Sequence, residues 1–423
     1  MKKKFISVLL VLAMVFALAA CTSSNEPVPA EPSGEGSEPA EEATTYKVGM
    51  VCIGDDNAAY DRNFYMAADA AKEELAKKGI DIEWVYTYNH AAGDAVAVDC
   101  EELADAGCVA IFCNSYGQED AMLTVAGDYP DTVFAGLTNE GSMRDNLDNT
   151  VNAFPNIFEG RYLEGVIAGC KLQQMIDEGQ IAPEEAVIGY VGAYTFAEVI
   201  SGYTSFYLGA KSVCESATMK VEFIGSWGDP TMEANTAQDL IDKGCVLISQ
   251  HSDSTTPATT AQSNGVYHVG YNISMIDVAP EASLSSSRID WTNYFVYVIE
   301  TAINGGTVDP DYTGHGLKDG DVALCELNEA IAAPGTEETV KAAKAAIEAG
   351  TLHVFDTSKF TVGGQEATSA LVDMTGDFVG DEGYDAIFDG YYHESYFKSA
   401  PAFDLRIDGI ELLNEAYEYL LRE

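Results

Sequence analysis

The chain has 423 residues, 47% of them apolar and 21% charged, a balance that gives a folded body of about two domains and excludes a disordered chain. Its formal charge of −46 makes phosphate-bearing partners poor ones, so nucleic acid and anionic lipid surfaces drop out. Nine cysteines without a Cys-x-x-Cys and only six histidines exclude the spacing of a zinc site.

In chain order, Lys2, Lys3 and Lys4 precede an apolar run from Phe5 to Ala20 that is too short to span a bilayer comfortably and reads as an export signal over residues 1–21. Leu18-Ala19-Ala20-Cys21 fits a lipobox, in which Cys21 is diacylated and becomes the new N-terminus. Residues 22–45 mix Pro, Glu, Gly, Ser and Ala with no apolar period, so they bury too little surface to offset their ordering entropy and form a flexible tether. The expected protein is lipid-anchored at the extracytoplasmic face of the cell membrane and is otherwise a monomer in water.

From residue 46 short apolar runs alternate with helical stretches. Tyr46 to Ile53, Ile80 to Tyr86, Cys108 to Asn114 and Thr132 to Leu137 read as strands, separated by helices at Arg62 to Lys78, Gly93 to Ala106 and Glu119 to Tyr129. The alternation restarts with a strand at Asn149 to Ala153 and a long helix at Phe158 to Asp177. Strands follow at Ala186 to Val191, Met219 to Ile224, Cys245 to Ser249 and Val266 to Tyr271, with helices at Ala197 to Cys214, Met232 to Lys243 and Thr255 to Ser263 between them. Such βαβ succession predicts an α/β fold of two doubly wound parallel sheets. Helices are also expected at Tyr294 to Asn304, Glu337 to Ala349 and Ile410 to Leu421, whereas Thr357 to Pro401, rich in Gly, Asp and Tyr, carries no assignment. Eight cysteines besides Cys21 lie mostly in apolar runs and read as unpaired core thiols.

Ligands of open α/β sheets bind beyond the carboxyl ends of strands, here the loops at 54–64, 114–117, 193–198, 226–229, 250–254 and 271–275. Those loops hold Asp, Asn, Ser, Tyr, Phe, Trp and His with almost no Lys or Arg, a lining for a neutral aromatic ligand. Ser115 and Tyr116 follow the third strand, where Tyr116 either stacks or donates its hydroxyl. Asp253, near His251, suits a ribose diol through charge-assisted bonds and equally suits the cap of the helix beginning near Thr255.

Several of these loops carry a resemblance. Tyr60-Asp61-Arg62-Asn63-Phe64, Gly160-Arg161-Tyr162-Leu163-Glu164-Gly165, Gly225-Ser226-Trp227-Gly228-Asp229-Pro230, Gln250-His251-Ser252-Asp253-Ser254 and Gly270-Tyr271-Asn272 stand in the order of the basic membrane protein family of substrate-binding lipoproteins. The sequence resembles that family over about residues 47–350. The resemblance implies a two-lobed type I periplasmic-binding-protein fold, with residues 46–160 and about 287–320 in lobe 1, and 161–286 and about 321–423 in lobe 2. It implies capture of a purine nucleoside or nucleobase by lobe closure and delivery to an ABC permease, without a cofactor. Phe64 then matches the stacking aromatic and Phe196 the second one across the cleft, giving a Phe64–base–Phe196 sandwich. Asp61 orients the base, caps the first helix, or does both. Trp227 and Asp229 match a family motif, although Asp229 also suits a helix cap. Asn272 stands where nucleoside-binding members commonly carry Asp, and Trp291 lies in a segment where they often carry Lys. Both departures leave room for a free base or another heterocycle such as a flavin, and a ligand-sensing lipoprotein is the alternative role. An enzyme is not expected, because no Gly-x-Ser-x-Gly, His-Glu-x-x-His or phosphate-loop motif occurs. Nor is a calcium loop, because Asp373, Asp377, Asp381 and Asp385 are spaced by four.

Overall fold

A computed structural model describes residues 44–55, 58–139, 147–376 and 378–416. The export signal, Cys21, nearly all of the expected tether and Asp377 lie outside the described residues. The first strand starts at Thr45, the last residue of the expected tether.

The first sheet is built from β1 (Thr45–Val51), β2 (Asp81–Thr87), β3 (Cys108–Cys113), β4 (Val133–Leu137) and β5 (Thr150–Ala153), completed by the short β11 (Asp311–Tyr312). Its order is β11-β5-β4-β3-β1-β2, and every pairing is parallel. The inner strands β3, β4 and β5 and most of β1 are buried because α1 (Ala59–Lys77), α2 (Asp94–Asp105) and α3 (Glu119–Ala126) cover the sheet, whereas the edge strand β2 is mostly half-buried. On α1 the inward stripe is Phe64, Ala67, Ala68, Ala71 and Leu75, a three-and-four spacing that seats one face on the strands.

The second sheet holds β6 (Val187–Gly192), β7 (Thr218–Phe223), β8 (Leu247–Gln250), β9 (Tyr267–Tyr271), β10 (Ser283–Ile289), β12 (Val322–Leu324) and β15 (Ile410–Leu412). Its order is β12-β10-β9-β8-β6-β7-β15, parallel except where β12 runs antiparallel to β10. It is served by α4 (Ile157–Asp177), α5 (Ala197–Val213), α6 (Pro230–Asp242), α7 (Thr256–Ser263) and α9 (Thr336–Glu348). Helices α4 and α5 cross at backbone contact, because Gly165 and Gly209 are bare where a side chain would strike the carbonyls of Phe206 and Tyr162.

The chain passes between the lobes three times: from β5 into α4, from β10 into α8 (Thr292–Ile303), which packs on α1, and from β11 into β12. Three crossings at one edge make a hinge, and the two-lobed type I fold expected from the sequence is the fold observed.

The expected C-terminal helix is a correction. Ile410–Leu412 is a strand that pairs with Met219–Val221 of β7, and residues 417–421 lie outside the description. An edge strand offers unpaired backbone groups, and filling them outweighs the helical propensity of a short segment. The stretch left unassigned, 357–401, contains among its described residues a single 3-10 turn at Thr357–Lys359 and the hairpin β13 (Ile387–Phe388) and β14 (Tyr391–Tyr392). Its loops are held by carboxylates: Asp373 accepts from the Thr375 and Gly376 N–H groups at 3.0 and 2.7 Å, and Asp385 from Ala370 and Ile387 at 2.9 and 3.0 Å. Local side-chain bonds of this kind replace helix and ladder and leave no periodicity to read. The eight described cysteines are free thiols, six of them buried.

Candidate functional site

The strand ends of both lobes converge on one cleft. Its inner chamber is lined by Ile53, Tyr60, Ser115, Tyr116 and Thr138 from lobe 1 and by Glu198, Trp227, His251, Asp253 and Tyr271 from lobe 2. As closed here it has a volume of about 20 Å³, room for roughly one water.

On the lobe 1 side Asn114, at the end of β3, organises the wall. Its side chain accepts from Ile53 N at 2.8 Å and donates to Asp61 Oδ1 at 2.9 Å, while its carbonyl accepts the Tyr60 hydroxyl at 2.6 Å. Asp61 also accepts from Gly54 N at 3.2 Å, and its other carboxylate oxygen is buried with no hydrogen-bond partner among the described residues. Burial raises the Asp61 carboxyl to about 6 against the bonds from Asn114 and Gly54 that lower it. Asp61 does not cap α1, which begins at Ala59 with no side-chain cap.

On the lobe 2 side His251 is buried, with Nε2 3.2 Å from the Glu198 carboxylate and Nδ1 3.2 Å from the Tyr190 hydroxyl. Burial lowers its pKa, so the ring is neutral, donating from Nε2 and accepting at Nδ1. Asp253 accepts from Asn272 Nδ2 at 3.2 Å. Its carboxyl is pushed well above the usual range by burial and then by the charges of Glu198, Glu233 and Asp61. Asp253 does not cap α7: the N-cap position is Thr255, which makes no side-chain cap bond, and Thr256 N donates instead to the Ser254 hydroxyl at 3.1 Å. Behind Tyr271, the buried Arg161 guanidinium lies 3.6 Å from the ring centroid and is held by Glu164 at 3.1 Å and the Gln250 carbonyl at 3.0 Å. That stack fixes the chamber floor.

Of the residues expected at a site, Ser115, Tyr116, Trp227, His251 and Asp253 line the inner chamber, Asn272 bonds to Asp253, and Asp61 stands behind Tyr60. Phe64 and Trp291 do not join them. Each is 1% exposed, and their rings stack on each other at 5.3 Å inside lobe 1. Phe64 therefore lines neither chamber, and the ring that α1 presents to the inner one is Tyr60, one turn earlier. Asp229 caps α6 through the N–H groups of Thr231 and Met232 at 2.9 and 3.0 Å and lies outside the cavities.

Phe196 borders a second, outer chamber of about 250 Å³ that shares Tyr116, Thr138 and Glu198 with the inner one. Its remaining walls include Phe154 and Thr195 and, from the C-terminal tail, Asp373, Phe378, Lys398, Asp404 and Arg406. Sequence reasoning missed Tyr60, Glu198, Tyr271 and the tail residues. The first three adjoin motifs already singled out, whereas the tail carried no signal.

Comparison with known proteins adds three findings. A family described as ABC transporter substrate-binding protein, PnrA-like, matches residues 47–352. A purine-binding protein of Brucella abortus is 33% identical over 66% of this chain and 74% of its own length, and a protein of Haloferax volcanii named for glucose binding by an ABC transporter is 32% identical over 68% of each. Among solved structures, an ABC transporter solute-binding protein from Conexibacter woesei superposes with a TM-score of 0.54 at 17% identity, covering 73% of this chain and 98% of that one.

Proposed function

The chain belongs to the PnrA-like family of ABC transporter substrate-binding proteins, and from that premise we propose that it captures a purine nucleoside or nucleobase between its lobes for an ABC importer. The observation that carries the reading is the inner chamber, where Tyr60, Tyr116 and Trp227 from opposite lobes converge beside Glu198 and Asp253. Aromatic faces suit a flat heterocycle, each stacking contact worth about 1–3 kcal/mol. The Glu198 carboxylate and the Asp253 carboxyl offer acceptors to ring N–H or ribose hydroxyl groups, and neither supplies the positive charge a phosphate needs, which favours an uncharged ligand over a nucleotide.

At about 20 Å³ the inner chamber as it stands is too small for a purine, so the reading needs the lobes to move apart for a ligand. Ligand enters with the lobes apart, and contacts from both sides then favour the closed form that the permease recognises. In the same reading Cys21 carries the lipid, the tether of residues 22–45 runs up to the start of β1, and a monomer works at the outer face of the membrane. Lobe 1 comprises residues 46–160 and 287–320, and lobe 2 residues 161–286 and 321–423. The family's task is capture for transport, and nothing in the proposal calls for a chemical step.

A second reading is a sugar alone, favoured by the size of the outer chamber and by the name of the Haloferax relative. Calorimetric titration of ligand-stripped protein decides between them, using adenosine, guanosine, inosine, adenine, hypoxanthine, riboflavin and glucose. One-to-one binding of a purine supports the proposal. Binding of riboflavin alone moves the cargo to another heterocycle. Glucose binding with silence from every heterocycle overturns the proposal.

A further inference from the structure

The family match ends at residue 352, yet the chain continues and the continuation forms one wall of the outer chamber. That wall is fastened to both lobes. On lobe 2, β15 extends the sheet, and Thr195 N donates to the Ala416 carbonyl at 2.6 Å. On lobe 1, Ser399 donates its N–H to Asp311 at 2.7 Å and accepts from Asn152 Nδ2 at 3.0 Å. Between these ends Phe403 stacks on Phe355 at 4.2 Å, and Phe355 on Phe158 of α4 at 5.5 Å. A wall fixed at so many points is ordered before any ligand arrives, which lowers the entropic cost of binding.

The chemistry of the wall is unusual for this chain. Lys and Arg number only 22 in 423 residues, and two of them, Lys398 and Arg406, line this chamber opposite Asp373, Asp404 and Glu198. The Lys398 ammonium donates to the Asp373 carbonyl at 2.5 Å and the Arg406 guanidinium to the Asp404 carbonyl at 3.2 Å. Donors and acceptors thus stand side by side with their charges nearly balanced, next to the rings of Phe196 and Phe378, which stack at 6.1 Å. A phosphate would meet three carboxylates, and an ammonium two cations. A hydroxyl donates and accepts at once and fits between them, while the C–H faces of a sugar or polyol lie against the rings.

We propose that the tail adds a second subsite, which takes an uncharged polyhydroxy arm attached to the ring held in the inner chamber. This rests on the heterocycle reading above. The two chambers share Tyr116, Thr138 and Glu198 and so adjoin, as a ring in one with an attached arm in the other requires.

The test compares adenosine with adenine on wild type, Asp404→Ala and Arg406→Ala. Both positions lie at the chamber mouth outside the buried core, and thermal melts check their folding. If an alanine variant fails to fold, Asp404→Asn and Arg406→Lys serve instead. Each variant should weaken adenosine by about tenfold or more and leave adenine unchanged, a loss of ~1.4 kcal/mol confined to the sugar. Equal losses for the two ligands, or no loss for either, overturn the subsite. Adenosine 5′-monophosphate binding more tightly than adenosine overturns the uncharged arm. If wild type binds neither purine, the heterocycle reading fails by itself, and the same variants are titrated with ribose and glucose. Sugar binding that the variants lose retains the tail subsite, and absence of sugar binding removes it as well.

Discussion

Tyr60 and Phe64 stand one turn apart on α1 with their rings in edge contact at 4.9 Å, and they serve different ends. Phe64 is sealed in lobe 1 against Trp291, where apolar area and close packing account for it. Tyr60 borders the cleft, and its hydroxyl is tied to the Asn114 carbonyl, so its ring is held upright at the chamber wall. An aromatic residue near a strand end is therefore not evidence of a site by its ring alone. What separates the cleft group (Tyr60, Tyr116, Trp227) from the core group (Phe64, Trp291, Phe295) is position: the first lines the inner chamber and the second is sealed from solvent.

The comparison breaks most visibly at Phe64. Phe64→Ala should cost about 3–5 kcal/mol of stability in denaturant unfolding and leave the affinity of the folded protein unchanged. A large affinity loss in a protein of normal stability would return Phe64 to the binding site. Asp61, between the two rings, sharpens the contrast through pH. Its carboxyl sits at about 6 when folded against 3.8 as its ordinary value, so between those values the folded state holds the proton more tightly than the unfolded chain. Its contribution to stability is greatest below pH 4, declines as pH rises towards 6 and is flat above, over a range of roughly 2–3 kcal/mol. Asp61→Asn should remove that slope from unfolding curves measured between pH 4 and 7, and an unchanged slope would assign it to other groups.

At Tyr60 the expectation inverts. Tyr60→Ala should weaken purine binding by about tenfold or more while destabilising less than Phe64→Ala, and calorimetry beside denaturant unfolding reads both. The smallest effect is expected at Asp229, where alanine should cost ~1 kcal/mol through the lost cap of α6 and nothing in affinity. Weaker binding in that variant would give Asp229 a role beyond capping.

The strands up to β9 and the helices α1 to α9 were legible because alternation of apolar runs and amphipathic stretches is a property of the chain itself, whereas the two- and three-residue strands β11 and β12 were too short to leave a pattern. The assignment of Phe64 and Trp291 to the site came from motif resemblance, and periodicity argued the other way. Phe64 leads the stripe Phe64, Ala67, Ala68, Ala71, Leu75, and Trp291 leads Trp291, Tyr294, Phe295, Val298, Ile299, each the inward face of its helix. Asp253 and His251 were found because they follow a strand end within a polar run. The tail was illegible for a different reason. Strand β15 is three residues long and its partner lies about 190 positions earlier, and the loops before it are fixed by carboxylates bonding to nearby N–H groups. Neither leaves a pattern in a short window.

The chain has three tryptophans, and only Trp227 lines the cleft, while Trp84 and Trp291 pack in lobe 1. Titrating intrinsic fluorescence with inosine in wild type and in Trp227→Phe tests directly whether the ligand sits between the lobes. The account predicts an emission change in wild type that disappears in Trp227→Phe, although calorimetry still detects binding. An undiminished change in the variant, reported by Trp84 or Trp291, would place the ligand against the core of lobe 1 and contradict the account.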